Sequence, residues 1–240
     1  MMTAAKRQGF SLIESLLALT LFSMIVLSTL EFFGMTKKTF FKLRDTQLAQ
    51  ESAWAALDKI RTDLLQAGQG LIEPLRFGIV KGIEFTDGAM VLTSRAKSVA
   101  LSSDALAGSS TIDIDDADDF LPGKTMCLFD KDKGEAQEVG SAGTHRLTLT
   151  APLVHSYSKE ESVVLLLHRT TYYLDAGRST LRRKVNSGTP QPLLDGVLSY
   201  ASGYDSVLNL VTVSLRLQSG SEKTYEIMAF PKNMALAKNP

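Results

Sequence analysis

Cysteine is nearly absent from this chain of 240 residues, and the single Cys127 excludes an intrachain disulfide and any zinc cluster built on cysteine. Net charge is absent altogether, because 26 basic side chains balance 26 acidic ones. Phosphate neutralisation requires a basic excess, so no nucleic-acid partner is expected. With 17 Gly and 7 Pro, the chain also lacks the composition of collagen-like or low-complexity proteins, and 44% hydrophobic with 22% charged residues is ordinary for a globular fold. The length allows one large or two small domains with a core.

Catalytic signatures are missing as well. Gly123-Lys124-Thr125 ends like a phosphate-binding loop, but Asp118 stands where that motif requires its first glycine. His145, His155 and His168 lack the spacing of a zinc-binding helix, and no nucleophile elbow occurs. His168, inside an apolar strand, reads as a sheet histidine, and Cys127, between Met126 and Leu128, reads as a small buried hydrophobe. No enzyme is expected.

What is present is concentrated at the N-terminus. From Phe10 to Leu30 the only charge is Glu14, in a run of about 21 residues that suffices to cross a hydrocarbon core of ~30 Å as a helix. Lys6 and Arg7 precede it, so the positive-inside rule keeps residues 1–9 cytoplasmic and places the remainder outside. Three explanations compete. A secretory signal peptide requires a small-residue cleavage site, and Ser28, Thr29 and Glu31 form a poor one. A plain membrane anchor leaves a carboxylate inside one end of the run, where Glu14 would have to snorkel to the headgroups.

The third explanation is a resemblance. Lys6-Arg7-Gln8-Gly9-Phe10-Ser11-Leu12-Ile13-Glu14 resembles the cleavage and methylation motif of type IV prepilins and of the pseudopilins of type II secretion. The resemblance implies a leader of residues 1–9, cleavage between Gly9 and Phe10 by prepilin peptidase, and N-methylation of Phe10. It also implies an assembly role for Glu14, which would meet the freed amine of a neighbouring subunit. Physically, an ammonium in an apolar helix bundle requires such a carboxylate.

Beyond the apolar run, Ala53, Leu57, Ile60, Leu64 and Ala67 follow spacings of 4 and 3, while Asp58, Lys59, Arg61, Thr62 and Asp63 are assigned to the wet face. No proline interrupts residues 10–67, so one helix is expected over 10–68, about 87 Å long at 1.5 Å per residue. Gly68 suits a left-handed stop. A β-rich head should then occupy 69–240. Ile79–Phe85 and Met90–Thr93 flank Asp87-Gly88, a hairpin signal, and Val163–Tyr173 reads as a long central strand. Thr180–Val185, Val197–Tyr200, Leu208–Leu217 and Lys223–Ile227 follow, with Ser219-Gly220 turning the last pair. No crossover helices separate them, so the sheet should be antiparallel. A small β module is expected as an insertion at about 99–162. The fold class is therefore α+β, type IV pilin-like, with a very long N-terminal helix packed on that sheet.

Parts of the head are similar to PilW-type minor pilins: Trp54–Gly68, Thr171–Leu174 followed by Leu181-Arg182-Arg183, Leu194–Val197, and Phe230-Pro231-Lys232-Asn233. Lys232 departs from the family's usual Arg, and the lone cysteine departs from the disulfides of many major pilins. Asp113, Asp115, Asp116, Asp118 and Asp119 form a dense acidic run, a weak Ca²⁺ candidate without the central Gly and distal Glu of an EF-hand loop. The resemblance implies a minor subunit of a type IV pilus, held in the bacterial inner membrane with its head in the periplasm before assembly. Its partners would be other pilin or pseudopilin subunits, met through the helix, and the peptidase/methyltransferase. A minor, J-type-like pseudopilin of type II secretion is the alternative, and an unprocessed single-span protein with an extracytoplasmic binding domain is the alternative of another class.

Overall fold

A computed structural model describes residues 11–218 and 223–238. The first element, α1, runs from Leu12 to Gln66 as 55 helical residues. The chain divides into two compact units, residues 1–50 and 51–240.

In the first unit none of the described side chains over the apolar stretch is buried, and an 18-residue window reaches a mean hydropathy of 2.1. This part of α1 is long and apolar enough to span a membrane. Three of its hydroxyls are satisfied within the helix. Thr20 donates to the Leu16 carbonyl at 2.8 Å, Ser23 to Leu19 at 2.8 Å and Thr29 to Ile25 at 2.7 Å. A hydroxyl bonded to its own preceding turn needs no water, so it does not forbid a hydrocarbon environment.

The second unit begins with the last turns of α1. Ala53, Ala56, Leu57, Ile60 and Leu64 are buried, as the 3.6-residue period requires. Each large aliphatic side chain removed from water here contributes about 1.5–3 kcal/mol before chain entropy is counted. After α1 comes a short helix, α2 (Ile72–Arg76), in a stretch for which the sequence indicates no element, and the first strand starts at Ile83 rather than Ile79. Pro74 sits in its first turn, where a missing N–H has no intrahelical partner to lose.

Twelve strands follow among the described residues. The main sheet contains β1 (Ile83–Thr86), β2 (Ala89–Ala100), β3 (Thr111–Asp113), β4 (Thr125–Phe129), β5 (Gly134–Ala142), β6 (Arg146–Leu149), β7 (Val163–Asp175), β8 (Thr180–Val185) and β9 (Gln191–Asp195). Its order is β1-β2-β7-β4-β5-β6-β3, with β8 and β9 continuing from the far half of β7. A second sheet has the order β10-β11-β12, from Val197–Asp205, Leu210–Leu217 and Thr224–Ala229. All pairings between these strands are antiparallel. The architecture is α+β. The proposed Ser219-Gly220 turn lies outside the described residues.

The Asp87-Gly88 signal produces the β1–β2 hairpin, with Thr86 opposite Ala89 and φ of 51° and 76° at the two turn residues. Positive φ at both positions is what a type I′ turn requires, and Asp-Gly supplies it with little strain. The central strand β7 is apolar on both faces because both are covered. Val164 and Leu166 enter a core with Met126, Leu128, Phe120 and Tyr157, while Leu165 and Leu167 pack with Leu71 and Cys127. Residues 101–162 lie between β2 and β7, and their strand β4 pairs directly with β7, so this segment is hydrogen-bonded into the same sheet. A last short helix, α3 (Lys232–Lys238), closes the described chain.

Candidate functional site

The strongest polar constellation in the head centres on Asp63, and here the helical assignment above requires correction. Asp63 is not on the wet face; it is 7% exposed. Its Oδ2 accepts from the Tyr172 hydroxyl at 2.6 Å and from Arg183 Nε at 2.9 Å and Nη2 at 2.8 Å. Its Oδ1 accepts from Lys59 Nζ at 2.9 Å, one helical turn earlier. Tyr172 and Arg183 reach the same carboxylate because they stand directly opposite each other on β7 and β8. The periodic signal was in fact present: Ile60, Asp63 and Ala67 continue the 3-and-4 spacing, so Asp63 lies on the apolar stripe, and only its charge argued otherwise.

Burial alone would push the Asp63 carboxyl up, but the bonds from Tyr172, Lys59 and Arg183, with the guanidinium charge, outweigh it and hold the group below the usual carboxylate range. Burial and the adjacent carboxylate push the Tyr172 phenol up, which keeps it a donor. Beside the cluster is a cleft of about 240 Å³ whose lining includes Gln66, Ser94, His168 and Thr170. Burial, reinforced by the Arg183 charge, lowers the pKa of His168. The lone pairs of Asp63 are occupied by donors, so this arrangement fastens the helix to the sheet rather than moving protons.

The end of α1 is fastened a second time. Gly68 takes φ of +75° and donates its N–H to the Thr93 carbonyl at 2.8 Å. Asn233 Nδ2 donates to the carbonyls of Leu65 and Ala67, both at 3.2 Å, which covers two acceptors that a helix end leaves without intrahelical partners. Pro231 is buried, and its carbonyl accepts from Asn209 Nδ2 at 3.1 Å. Thus Trp54–Gly68, Thr171–Leu174, Leu181–Arg183 and Phe230–Asn233, far apart in sequence, meet around the last turns of α1. The sequence patterns marked these stretches without indicating that they touch.

Lys6, Arg7, Gly9 and Phe10, the residues expected to direct processing, lie outside the described residues. Glu14 is described, and its Oε2 accepts from the Ser11 N–H at 3.0 Å while the Ser11 carbonyl accepts from Ser15 N at 3.1 Å. Ser11 is therefore the N-cap of α1 and Glu14 its third helical residue, one half of a capping box.

Three carboxylates of the acidic run, Asp113, Asp116 and Asp119, face cations. Asp113 forms a two-bond pair with Arg146, at 2.7 and 3.2 Å, which holds its carboxyl below the usual range. Asp116 accepts from Lys97 Nζ at 2.7 Å, and Asp119 lies 3.8 Å from the same nitrogen. Asp115 accepts from the Ser102 hydroxyl, and Asp118 donates its N–H to Asp116. Among the described residues no group of three or more His, Cys, Asp or Glu side chains is placed to hold a metal ion. Cys127 is buried, and burial pushes its thiol up to about 12. His145 Nδ1 lies 2.8 Å from the Asp115 carbonyl and His155 stacks edge-on to Tyr157, so the three histidines do not converge. Lys124 of the Gly123-Lys124-Thr125 stretch donates to the Asp119 carbonyl at 2.7 Å.

No family model matches this chain, and no curated protein does. Among solved structures it is similar in part to the Gp54 tailspike of Acinetobacter baumannii bacteriophage AP22, solved with A. baumannii capsular saccharide, at 21% identity and a TM-score of 0.29 over 32% of this chain and 15% of that one. The tailspike gp61 of Pseudomonas phage phi297 matches at 20% identity and a TM-score of 0.27, over 31% of this chain and 14% of that one. The chain therefore spans about one seventh of the length of these tailspikes. Matches of this extent do not define a shared fold.

Proposed function

We propose that this protein is a non-enzymatic filament subunit, a PilW-like minor pilin. In this reading it waits in the inner membrane with its head in the periplasm, after prepilin peptidase has removed residues 1–9. It then enters a type IV pilus through α1, which packs against other pilin subunits. Glu14 meets the Phe10 amine of a neighbour during that step. The observation that carries the reading is a single helix with two kinds of surface. Its first part is apolar and unburied over a membrane's thickness, and its last turns are built into the core of a β-rich unit. A soluble protein has little use for the first surface, whereas a subunit that moves from lipid into a helical bundle needs both.

The test is mass spectrometry of the N-terminus in a host that carries the peptidase. The mature chain should begin at Phe10 with a methylated amine. A terminus that retains Met1 or Met2 would overturn the reading.

A further inference from the structure

Just beyond the apolar run, α1 carries a concentration of positive charge. Lys37, Lys38, Lys42 and Arg44 fall within eight residues, against Asp45 as the nearest carboxylate in sequence. All four are exposed. Their placement on the helix is ordered. Lys37, Phe41 and Arg44 stand at i, i+4 and i+7, and both cations turn toward one ring, Lys37 Nζ at 5.9 Å and Arg44 Cζ at 5.0 Å from the Phe41 centroid. Lys38 and Lys42 form the adjoining row. The opposite side carries no charge: Phe32, Met35, Phe40 and Leu43 stand there with Thr36 and Thr39. Arg44 also lies 3.6 Å from Asp45, an exposed contact that leaves most of the guanidinium available.

We propose that these four cations form a collar that binds the phosphates of anionic phospholipid headgroups where α1 leaves the hydrocarbon. The inference rests on the membrane-spanning part of the reading above. Glu31 is the first charge after the apolar run, and Lys37 follows it by six residues, roughly 9 Å of helix. The headgroup layer extends about 5–8 Å past the hydrocarbon on each side, and lysine stems reach back toward it. Lys37 and Lys38 therefore touch headgroups directly, while Lys42 and Arg44 add to the attraction over a screening length of about 8 Å.

The experiment uses the full chain in neutral detergent micelles that contain equal amounts of dioleoyl-phosphatidylglycerol and dioleoyl-phosphatidylcholine, with bound lipid counted by native mass spectrometry. Phosphatidylglycerol should predominate on the wild type and fall by roughly fivefold for each cation removed in Lys37→Gln, Lys38→Gln and Arg44→Gln. Lys159→Gln, a remote exposed lysine, should change nothing. Equal binding of the two lipids by the wild type would overturn the collar, as would an unchanged preference in the triple variant. Loss of self-association in the triple variant without any lipid preference would also overturn it, since the cations would then face carboxylates of a second copy. A chain recovered in the soluble fraction without detergent would remove the membrane span itself. A membrane-bound chain without preference removes the collar alone.

Discussion

The Tyr172 hydroxyl donates to Asp63 Oδ2 at 2.6 Å, joining residues 109 positions apart in the chain. Because Arg183 converges on the same oxygen, the end of α1 is tied to two adjacent strands through one carboxylate. Hydrophobic burial of Leu57, Ile60 and Leu64 would hold the helix on the head, but it would tolerate rotation and sliding. The carboxylate sets one register, since only one residue of the stripe can satisfy Tyr172 and Arg183 together.

Asp63→Ala should therefore destabilise the head far more than a surface change. It leaves the Arg183 guanidinium and the Tyr172 hydroxyl without their partner, and the expected loss is about 3 kcal/mol, the lower end for a broken buried pair because Arg183 retains some solvent. Tyr172→Phe should cost about 1–2 kcal/mol. Urea unfolding of a fragment that begins near Lys37 measures both. A midpoint for Asp63→Ala equal to wild type would mean that the clasp contributes nothing.

Two groups should shape the acid side of the stability curve. Asp63 is held below the ordinary carboxylate value of 3.8, so its contribution is complete above that pH and is lost as the pH falls below it. His168 is held below 6.5, so between its folded value and 6.5 the unfolded chain binds the extra proton, and stability declines on acidification through that window. His168→Gln should flatten the decline that begins below 6.5, and Asp63→Asn should flatten the one below 3.8. Chemical denaturation at a series of pH values reads both, and superimposable wild-type and variant slopes would contradict the assignment.

Glu14 separates capping from charge pairing. Glu14→Gln keeps an acceptor for the Ser11 N–H, whereas Glu14→Ala loses it, at a cost of about 1 kcal/mol to the first turn. If the carboxylate neutralises a neighbour's amine, both variants should insert and be cleaved yet be depleted from sheared filaments, because both leave that amine unpaired in an apolar bundle. Recovery of Glu14→Gln at the wild-type level, normalised to membrane content, would reduce Glu14 to a helix cap.

Much of this architecture was legible from local physics. The Asp87-Gly88 turn announces its hairpin, and the run Val163–Leu167 is apolar at every position because both faces of this part of β7 are covered. What escaped has identifiable causes. Strand β9 begins Gln191-Pro192 and reads as loop, yet among the described strands it pairs only with β8, so proline's missing N–H breaks no second ladder. The helices α2 and α3 are too short to display a period. Asp63 was misplaced because a carboxylate on an apolar stripe is intelligible only with its partners, and those lie on β7 and β8, beyond the reach of any local window.

The ladder between β2 and β7 ends with Ala100 opposite Val163, so the chain leaves this ladder and returns to it at one pair of facing residues. Everything from 101 to 162 is in effect the turn of one very long hairpin. A flexible turn of that length would oppose ladder formation by its closure entropy. A folded one would not, because its own contacts, such as the bridge from Ala105 to Tyr157, bring the two ends together before the ladder closes. The order of events during folding is thereby constrained: the inserted strands should acquire structure first and deliver β7 to β2.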